Sequence, residues 1–113
     1  MHEIGIMEDT LNIAIDYAIK ENATEIKEIT ICIGKMSGVV SEALKFAFEV
    51  IRKGTIAENS TLKIESLPVI CYCDHCQQKF QPDEWFFQCP NCDQFSNNIL
   101  QGKEIKLISL EVS

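Results

Sequence analysis

The segment CYCDHCQQKFQPDEWFFQCPNC, residues 71–92, decides how the rest of this chain is arranged. It contains two C-x-x-C pairs, Cys73 with Cys76 and Cys89 with Cys92, joined by a short spacer. Each C-x-x-C turn points two sulfurs at one ion, so two such turns complete a tetrahedral shell of four thiolates. Soft thiolate ligands in that geometry suit zinc first and iron second. The segment therefore predicts a metal-ordered module, and cysteines that only pack or form disulfides are the less favoured interpretation.

The composition limits how large a core the protein can form, which partners it can bind and where it is expected to be located. The chain has 113 residues, 46% of them hydrophobic, which is enough for one domain core with a small satellite module. Its formal net charge of -7 repels nucleic acid and anionic membrane surfaces. The amino terminus lacks a secretory signal pattern, and no apolar run is long enough to cross a bilayer. We therefore expect a cytoplasmic protein whose cysteines are reduced. We do not expect this protein to bind nucleic acid or membranes.

Hydrophobic periodicity predicts two helices and three strands around the cysteine segment. Apolar residues recur at helical spacing over residues 4–22 and again over residues 40–54, where Gly54 ends the second helix. Strand patterns fall on residues 29–33, on Leu62, Ile64 and Val69, and on residues 105–112. A change of phase at Leu107 and Ile108 indicates a β-bulge in the third strand.

The expected fold is α+β, with a small three-stranded sheet packed with two helices and a Cys₄ zinc-ribbon-like module inserted between strands 2 and 3. The long connection between those strands has little periodicity, and metal binding explains how it becomes ordered. We assign residues 1–70 and 99–113 to one α+β domain and residues 71–98 to the zinc-binding module. Within the module, an apolar cluster is expected from Phe80, Trp85, Phe86 and Phe87.

The first three residues, Met1, His2 and Glu3, form a second candidate metal site. A free terminal amine, a backbone nitrogen and an imidazole nitrogen can close fused chelate rings around one ion. Nitrogen-rich planar arrangements of this kind favour Ni(II) or Cu(II) over Mg(II) or Ca(II). A histidine at position 2 is more often part of a solvated chain end, so this feature by itself is a weak signal.

Several further stretches carry a resemblance to a known family. They are Met1-His2-Glu3, IGKMSGVV at residues 33–40, EALKFAFE at residues 42–49, the two C-x-x-C pairs, and GKEI at residues 102–105. In order and over essentially the whole chain, they resemble the HypA/HybF family of nickel metallochaperones. The resemblance implies delivery of nickel to the [NiFe]-hydrogenase large subunit precursor during maturation. It also implies a HypB-type GTPase as partner and, in some relatives, a shared role with urease maturation proteins.

The same resemblance implies two metal sites of different character. Nickel, as transient cargo, would take the Met1 amine, the backbone and imidazole nitrogens of His2, and the backbone nitrogen of Glu3, with the Glu3 carboxylate as a further candidate. Structural zinc would take Cys73, Cys76, Cys89 and Cys92. The α+β domain is then the nickel-binding domain. Some relatives place a carboxylate just after the turn at residues 34–38, where this chain has Val39 and Val40.

Other candidate residues have simpler interpretations. His75 lies inside the first C-x-x-C pair, but the thiolate set is already complete, so a position beside the ligands or in solvent is favoured. Cys71 is expected to be a strand residue and Cys32 a small buried residue. The chain lacks a Ser/His/Asp or Cys/His pattern and the phosphate-binding motif G-x-x-x-x-G-K-[ST], so we do not expect an enzyme.

Two alternative functions use the same cysteines. A rubredoxin-like electron carrier would bind iron, and a zinc-ribbon adaptor would bind protein partners without a second metal. The oligomeric state is open between monomer and dimer. Pro68 and Gly102 flank the module, so exchange of the module between chains is one route to a dimer.

Overall fold

A computed structural model describes residues 2–82 and 87–113 of the chain. The elements in order are α1 (His2–Lys20), β1 (Ile26–Gly34), α2 (Ser41–Ile51), β2 (Thr61–Leu67), β3 (Ile70–Cys73), β4 (Gln78–Phe80), β5 (Asn98–Gln101) and β6 (Ile105–Val112). The strands form two three-stranded sheets, in the orders β2-β1-β6 and β4-β3-β5. We call the first sheet with α1 and α2 the body, and residues 70–101 the cysteine module. The predicted α+β fold with a zinc-ribbon-like module is confirmed.

Strand β1 lies at the centre of the body sheet, parallel to β2 and antiparallel to β6. Its alternate residues Ile29, Ile31 and Ile33 are buried in the body core, since side chains two apart on a strand share one face. The β-branched isoleucines suit this extended, covered position.

The two helices cover that face of the sheet. Helix α1 buries four apolar residues spaced three or four apart, and α2 buries three, as an amphipathic helix on a sheet requires. They are Met7, Leu11, Ala14, Ala18, Leu44, Ala47 and Phe48. After the helices, Asn22 (φ 59°) and Gly54 (φ 76°) take left-handed conformations that turn the chain out of the helical path. None of the described helices is both apolar enough and long enough to cross a membrane.

The predicted bulge in the last strand is present. Thr30 of β1 lies opposite Ser109, and the next residue, Ile31, lies opposite Leu107, so Ile108 has no partner on β1. The extra residue restores the phase of the strand, and as a result Leu107 and Leu110 both pack against the body core.

The path of the chain after β2 differs from the sequence prediction. Val69 was assigned to the second strand, but β2 ends at Leu67 and Val69 packs against the core of the cysteine module. Pro68 explains the difference, because it has no N–H to donate to a neighbouring strand. The connection that lacked periodicity contains β3, β4 and β5, whose lengths of 4, 3 and 4 residues are too short to show alternation.

Two glycines bring the turn after β1 into close backbone contact with the segment that leads from the cysteine module back to the body. The backbone N–H of Met36 donates a hydrogen bond to the carbonyl oxygen of Gly102 over 2.7 Å. The backbone N–H of Lys35 donates one to the carbonyl oxygen of Leu67 over 3.0 Å. A Cβ atom on Gly34 would collide with the backbone carbonyl of Gly102. The β1–α2 turn thus holds both chain segments that connect the body to the module.

Candidate metal centre

The four predicted zinc ligands converge at one end of the cysteine module. The sulfurs of Cys73, Cys76, Cys89 and Cys92 all lie within 4.8 Å of one another. The Sγ atoms of Cys73 and Cys92 are 3.5 Å apart, and those of Cys76 and Cys89 are 3.9 Å apart. A tetrahedral ion with Zn–S bonds of about 2.3 Å would separate its sulfurs by about 3.8 Å. All six cysteines of the chain are free thiols, and the four clustered sulfurs are close enough together to hold one metal ion.

Each cysteine pair sits on a tight turn that ends in a left-handed residue. Gln77 (φ 54°) follows Cys76, and Asp93 (φ 61°) follows Cys92. In the first turn the backbone N–H of Cys76 donates to Cys73 Sγ over 3.4 Å. Residues other than glycine rarely adopt positive φ, so these positions bend the chain to aim its sulfurs inward. Sequence reasoning did not identify Gln77 and Asp93, and their place directly after each C-x-x-C pair is the only signal available.

The environment shifts the pKa of individual thiols in the cluster in opposite directions. Burial acts to raise the pKa of the Cys89 thiol, but the backbone N–H groups of Cys92 and Asn91 stabilise its thiolate and lower the pKa to about 7. A hydrogen bond with the side chain of Cys92, together with burial, raises the pKa of Cys76 to about 12. An incoming cation must therefore displace protons from the sulfurs, which makes binding weaker as the pH falls.

The other cysteine and the histidine of this region lie outside the sulfur cluster, as predicted. Cys71 is a fully buried residue of β3, and burial raises the pKa of its thiol. His75 is exposed on the first turn. Phe80 and Phe87 pack in the core of the module, whereas Trp85 and Phe86 lie outside the described residues.

Two of the three predicted nickel-ligating residues, His2 and Glu3, begin α1. Met1 and the side chain of His2 are outside the described part of the chain, whereas Glu3 lies within it and is only 8% exposed. The Glu3 Oε2 atom accepts a hydrogen bond from the backbone N–H of Val40 over 3.4 Å. Val40 is the N-cap residue of α2 and has no side-chain cap of its own. The positive end of α2 favours a carboxylate there, so Glu3 ties the beginnings of the two helices together.

Comparison with known proteins decides the family. The family model described as "Hydrogenase/urease nickel incorporation, metallochaperone, hypA" matches residues 1–112. The chain belongs to the HypA family. It is 51% identical to the hydrogenase maturation factor HypA of Picosynechococcus sp. and 36% identical to that of Chloroflexus aggregans. Each alignment covers 112 residues, which is 99% of both chains in the first case and 98% in the second.

Solved HypA structures share the fold. The solution structure of the Ni metallochaperone HypA from Helicobacter pylori superposes with a TM-score of 0.72 at 26% identity, covering 99% of this chain and 97% of that one. A second HypA solution structure gives a TM-score of 0.75 at 27% identity, covering 100% and 97%. This chain is therefore a metallochaperone for nickel incorporation in hydrogenase maturation, and not an enzyme. Membership of the HypA family favours this function over the electron carrier and the adaptor.

Proposed function

We propose that this HypA-family protein carries Ni(II) on its first three residues and zinc on its four clustered cysteines. Met1, His2 and Glu3 hold the nickel transiently and deliver it to the large subunit precursor of [NiFe]-hydrogenase. A HypB-type GTPase is the partner in that delivery, and urease maturation proteins are a second class of partner. The observation that carries the proposal is the convergence of the four sulfurs in a separate module, which leaves the amino-terminal nitrogens as the exchangeable site.

The sulfur cluster suits a permanent ion. Four thiolates fill every position of a tetrahedral shell, so no position stays open for exchange with another protein. The spacing between sulfurs is close to that required by Zn–S bonds. We therefore assign Zn(II) to Cys73, Cys76, Cys89 and Cys92, with a structural role.

The start of α1 suits a site that binds nickel reversibly through nitrogen ligands. The first N–H groups of a helix have no intrahelical acceptor, so the amide nitrogens of His2 and Glu3 can exchange a proton for a metal without breaking a helical hydrogen bond. The positive end of the helix disfavours a cation, and deprotonated amide nitrogens offset that effect. The buried Glu3 side chain fixes this first turn against α2, which orients its backbone nitrogen for nickel.

The division of the chain follows from these assignments. Residues 1–70 and 99–113 form the nickel-binding α+β domain, and residues 71–98 form the zinc-binding module. The smaller sheet runs from Ile70 to Gln101, close to those bounds. We also propose a cytoplasmic location, where reducing conditions would keep the six cysteines available as thiols.

Nickel titration by calorimetry tests the proposal on the untagged full-length protein. The chain has two histidines, so His75→Ala is a matched control for His2→Ala. We expect His2→Ala to weaken nickel binding by more than the roughly 10–100-fold that follows loss of a supporting residue. A tag fused ahead of Met1 should have the same effect, because the amine becomes a peptide nitrogen.

The controls separate the two sites. His75→Ala should bind nickel as the unmodified protein does, and zinc content by elemental analysis should stay constant in all variants. Nickel affinity that is unchanged in His2→Ala, or in the tagged protein, would refute the amino-terminal site.

A further inference from the structure

Strand β6 has a free edge in the described part of the chain. It is the end strand of the body sheet, with β1 on one side and no strand on the other. Alternate residues of this 8-residue strand direct their backbone N–H and C=O groups away from β1, where another strand can pair with them. Natural proteins usually keep such edges short or covered, so an edge of this length points to an additional strand.

A groove of about 410 Å³ with a mixed polar and apolar lining runs beside this edge, between β6 and the end of α1. Leu107, Leu110 and Val112 line it and are only partly buried, although they lie on the core side of the sheet. Tyr17 also lines the groove and is 60% exposed. The groove therefore extends the hydrophobic core to the surface, where one more strand would cover it.

Pairing with β1 defines which face each residue of β6 occupies. Leu107 and Leu110 lie opposite Ile31 and Ile29, and so belong to the face that the helices cover. Ile105 and Val112 lie opposite Ile33 and Ile26, on the same face. Lys106 and Glu111 point to the opposite face and are exposed.

These faces make β6 complementary to itself. A second β6 strand can pair with the first in antiparallel orientation, with the centre of the pairing between Ile108 and Ser109. In this register apolar residues lie opposite apolar residues, and each charged residue lies opposite one of the other sign. The facing pairs are Ile105 with Val112, Lys106 with Glu111, Leu107 with Leu110, and Ile108 with Ser109. A shift of one residue would place Leu107 opposite Ser109 or Glu111, on the wrong face. The bulge is what produces this match, since it puts Leu107 and Leu110 on one face.

We propose that β6 binds β6 of a second copy of this chain in that register, joining the two body sheets into one. A two-fold axis perpendicular to the sheet keeps the helices of both copies on the same face, so the partner's core-side residues fill the groove beside Tyr17. An unmatched lysine deters other strands from an edge, and a second copy supplies Glu111 opposite Lys106. The net charge of -7 on each copy opposes association, but salt screens that repulsion beyond about 8 Å.

Charge reversal on β6 tests the proposal by sedimentation equilibrium of the full-length protein with its metal, from micromolar to millimolar concentration. Lys106→Glu places two glutamates opposite each other at both ends of the pairing, and we expect the dimer dissociation constant to rise about tenfold. Glu111→Lys should do the same. The double variant K106E/E111K exchanges the charges and should restore dimerisation.

A control substitution and a hydrogen-exchange measurement test whether the dimer contact lies at β6. Lys63 lies on β2 at the opposite edge of the same sheet, so Lys63→Glu should leave the dimer unchanged. Amide hydrogen exchange over residues 105–112 should slow as the protein concentration rises. Circular dichroism confirms that each variant is folded. A protein that stays monomeric throughout overturns the proposal. So does a dimer that tolerates both single reversals, as exchange of the cysteine module between chains would give.

Discussion

The body and the cysteine module each contain a three-stranded sheet, yet different forces hold them together. The body core contains large apolar side chains, with Phe48, Met7 and Leu44 at most 1% exposed. Among the described residues of the module, the buried apolar cluster consists of three cysteines and Phe80. Burial of each large apolar side chain stabilises a fold by about 1.5–3 kcal/mol, whereas a structural zinc site supplies about 10–16 kcal/mol. The body thus has an apolar core that can fold by hydrophobic burial, whereas the module would depend on the zinc proposed for its four cysteines.

Removal of zinc should give the largest difference between the two regions. Cys89→Ser breaks the thiolate shell, and we expect amide signals of β3, β4 and β5 in an NMR correlation spectrum to lose their dispersion. Signals of the body should remain dispersed. Cys71→Ala is the matched control, because this thiol lies outside the sulfur cluster and zinc content should persist. Dispersed signals from a zinc-free module would contradict metal-dependent folding.

A cavity in the body core should have the next largest effect and leave the metal in place. Phe48→Ala removes a ring that is 1% exposed, and we expect a loss of about 3–5 kcal/mol in the free energy of unfolding in urea. Phe46→Ala on the same helix is the control, since this ring is 68% exposed and its loss should cost less than about 0.5 kcal/mol. Equal effects of the two substitutions would contradict the described core.

The contact between the body and the segment that connects it to the module can be broken at a single glycine. Gly34→Ala places a methyl group against the carbonyl of Gly102, and we expect a cost of about 1–3 kcal/mol in urea unfolding. Gly5→Ala lies in α1 with open space around it, so it should stabilise the protein by about 0.5–1 kcal/mol. Opposite signs for the two substitutions confirm the close approach, and a neutral Gly34→Ala would refute it.

The smallest effect is expected at Glu104, next to the same contact. The backbone N–H of Gly102 donates a hydrogen bond to the Glu104 carboxylate over 2.6 Å. This bond, together with other backbone N–H groups, lowers the pKa of the carboxyl below its usual value. A pKa lowered in the folded state adds stability above the unfolded pKa, and that stability is lost as pH falls through the folded pKa. Glu104→Gln should therefore be slightly less stable than the unmodified protein at neutral pH, with no difference in strong acid. Urea unfolding at several pH values measures this, and a pH-independent difference would contradict it.

Periodicity and cysteine spacing were sufficient to predict both helices, the body strands and the convergence of Cys73, Cys76, Cys89 and Cys92. The bulge at Ile108 was also visible, because it changes the phase of a regular pattern. The strands of the module were not, because each is too short for alternation. The approach of Gly34 to Gly102 and the bond from Val40 to Glu3 join residues that are distant in sequence, and no local pattern encodes them.

X-ray absorption at the nickel and zinc edges of the protein loaded with both ions tests the separation of the two metals most directly. We predict nitrogen and oxygen neighbours around nickel, including an imidazole that disappears in His2→Ala, and four sulfurs at about 2.3 Å around zinc. Sulfur neighbours around nickel, with an unchanged nickel spectrum in His2→Ala, would contradict the assignment of cargo to the amino terminus.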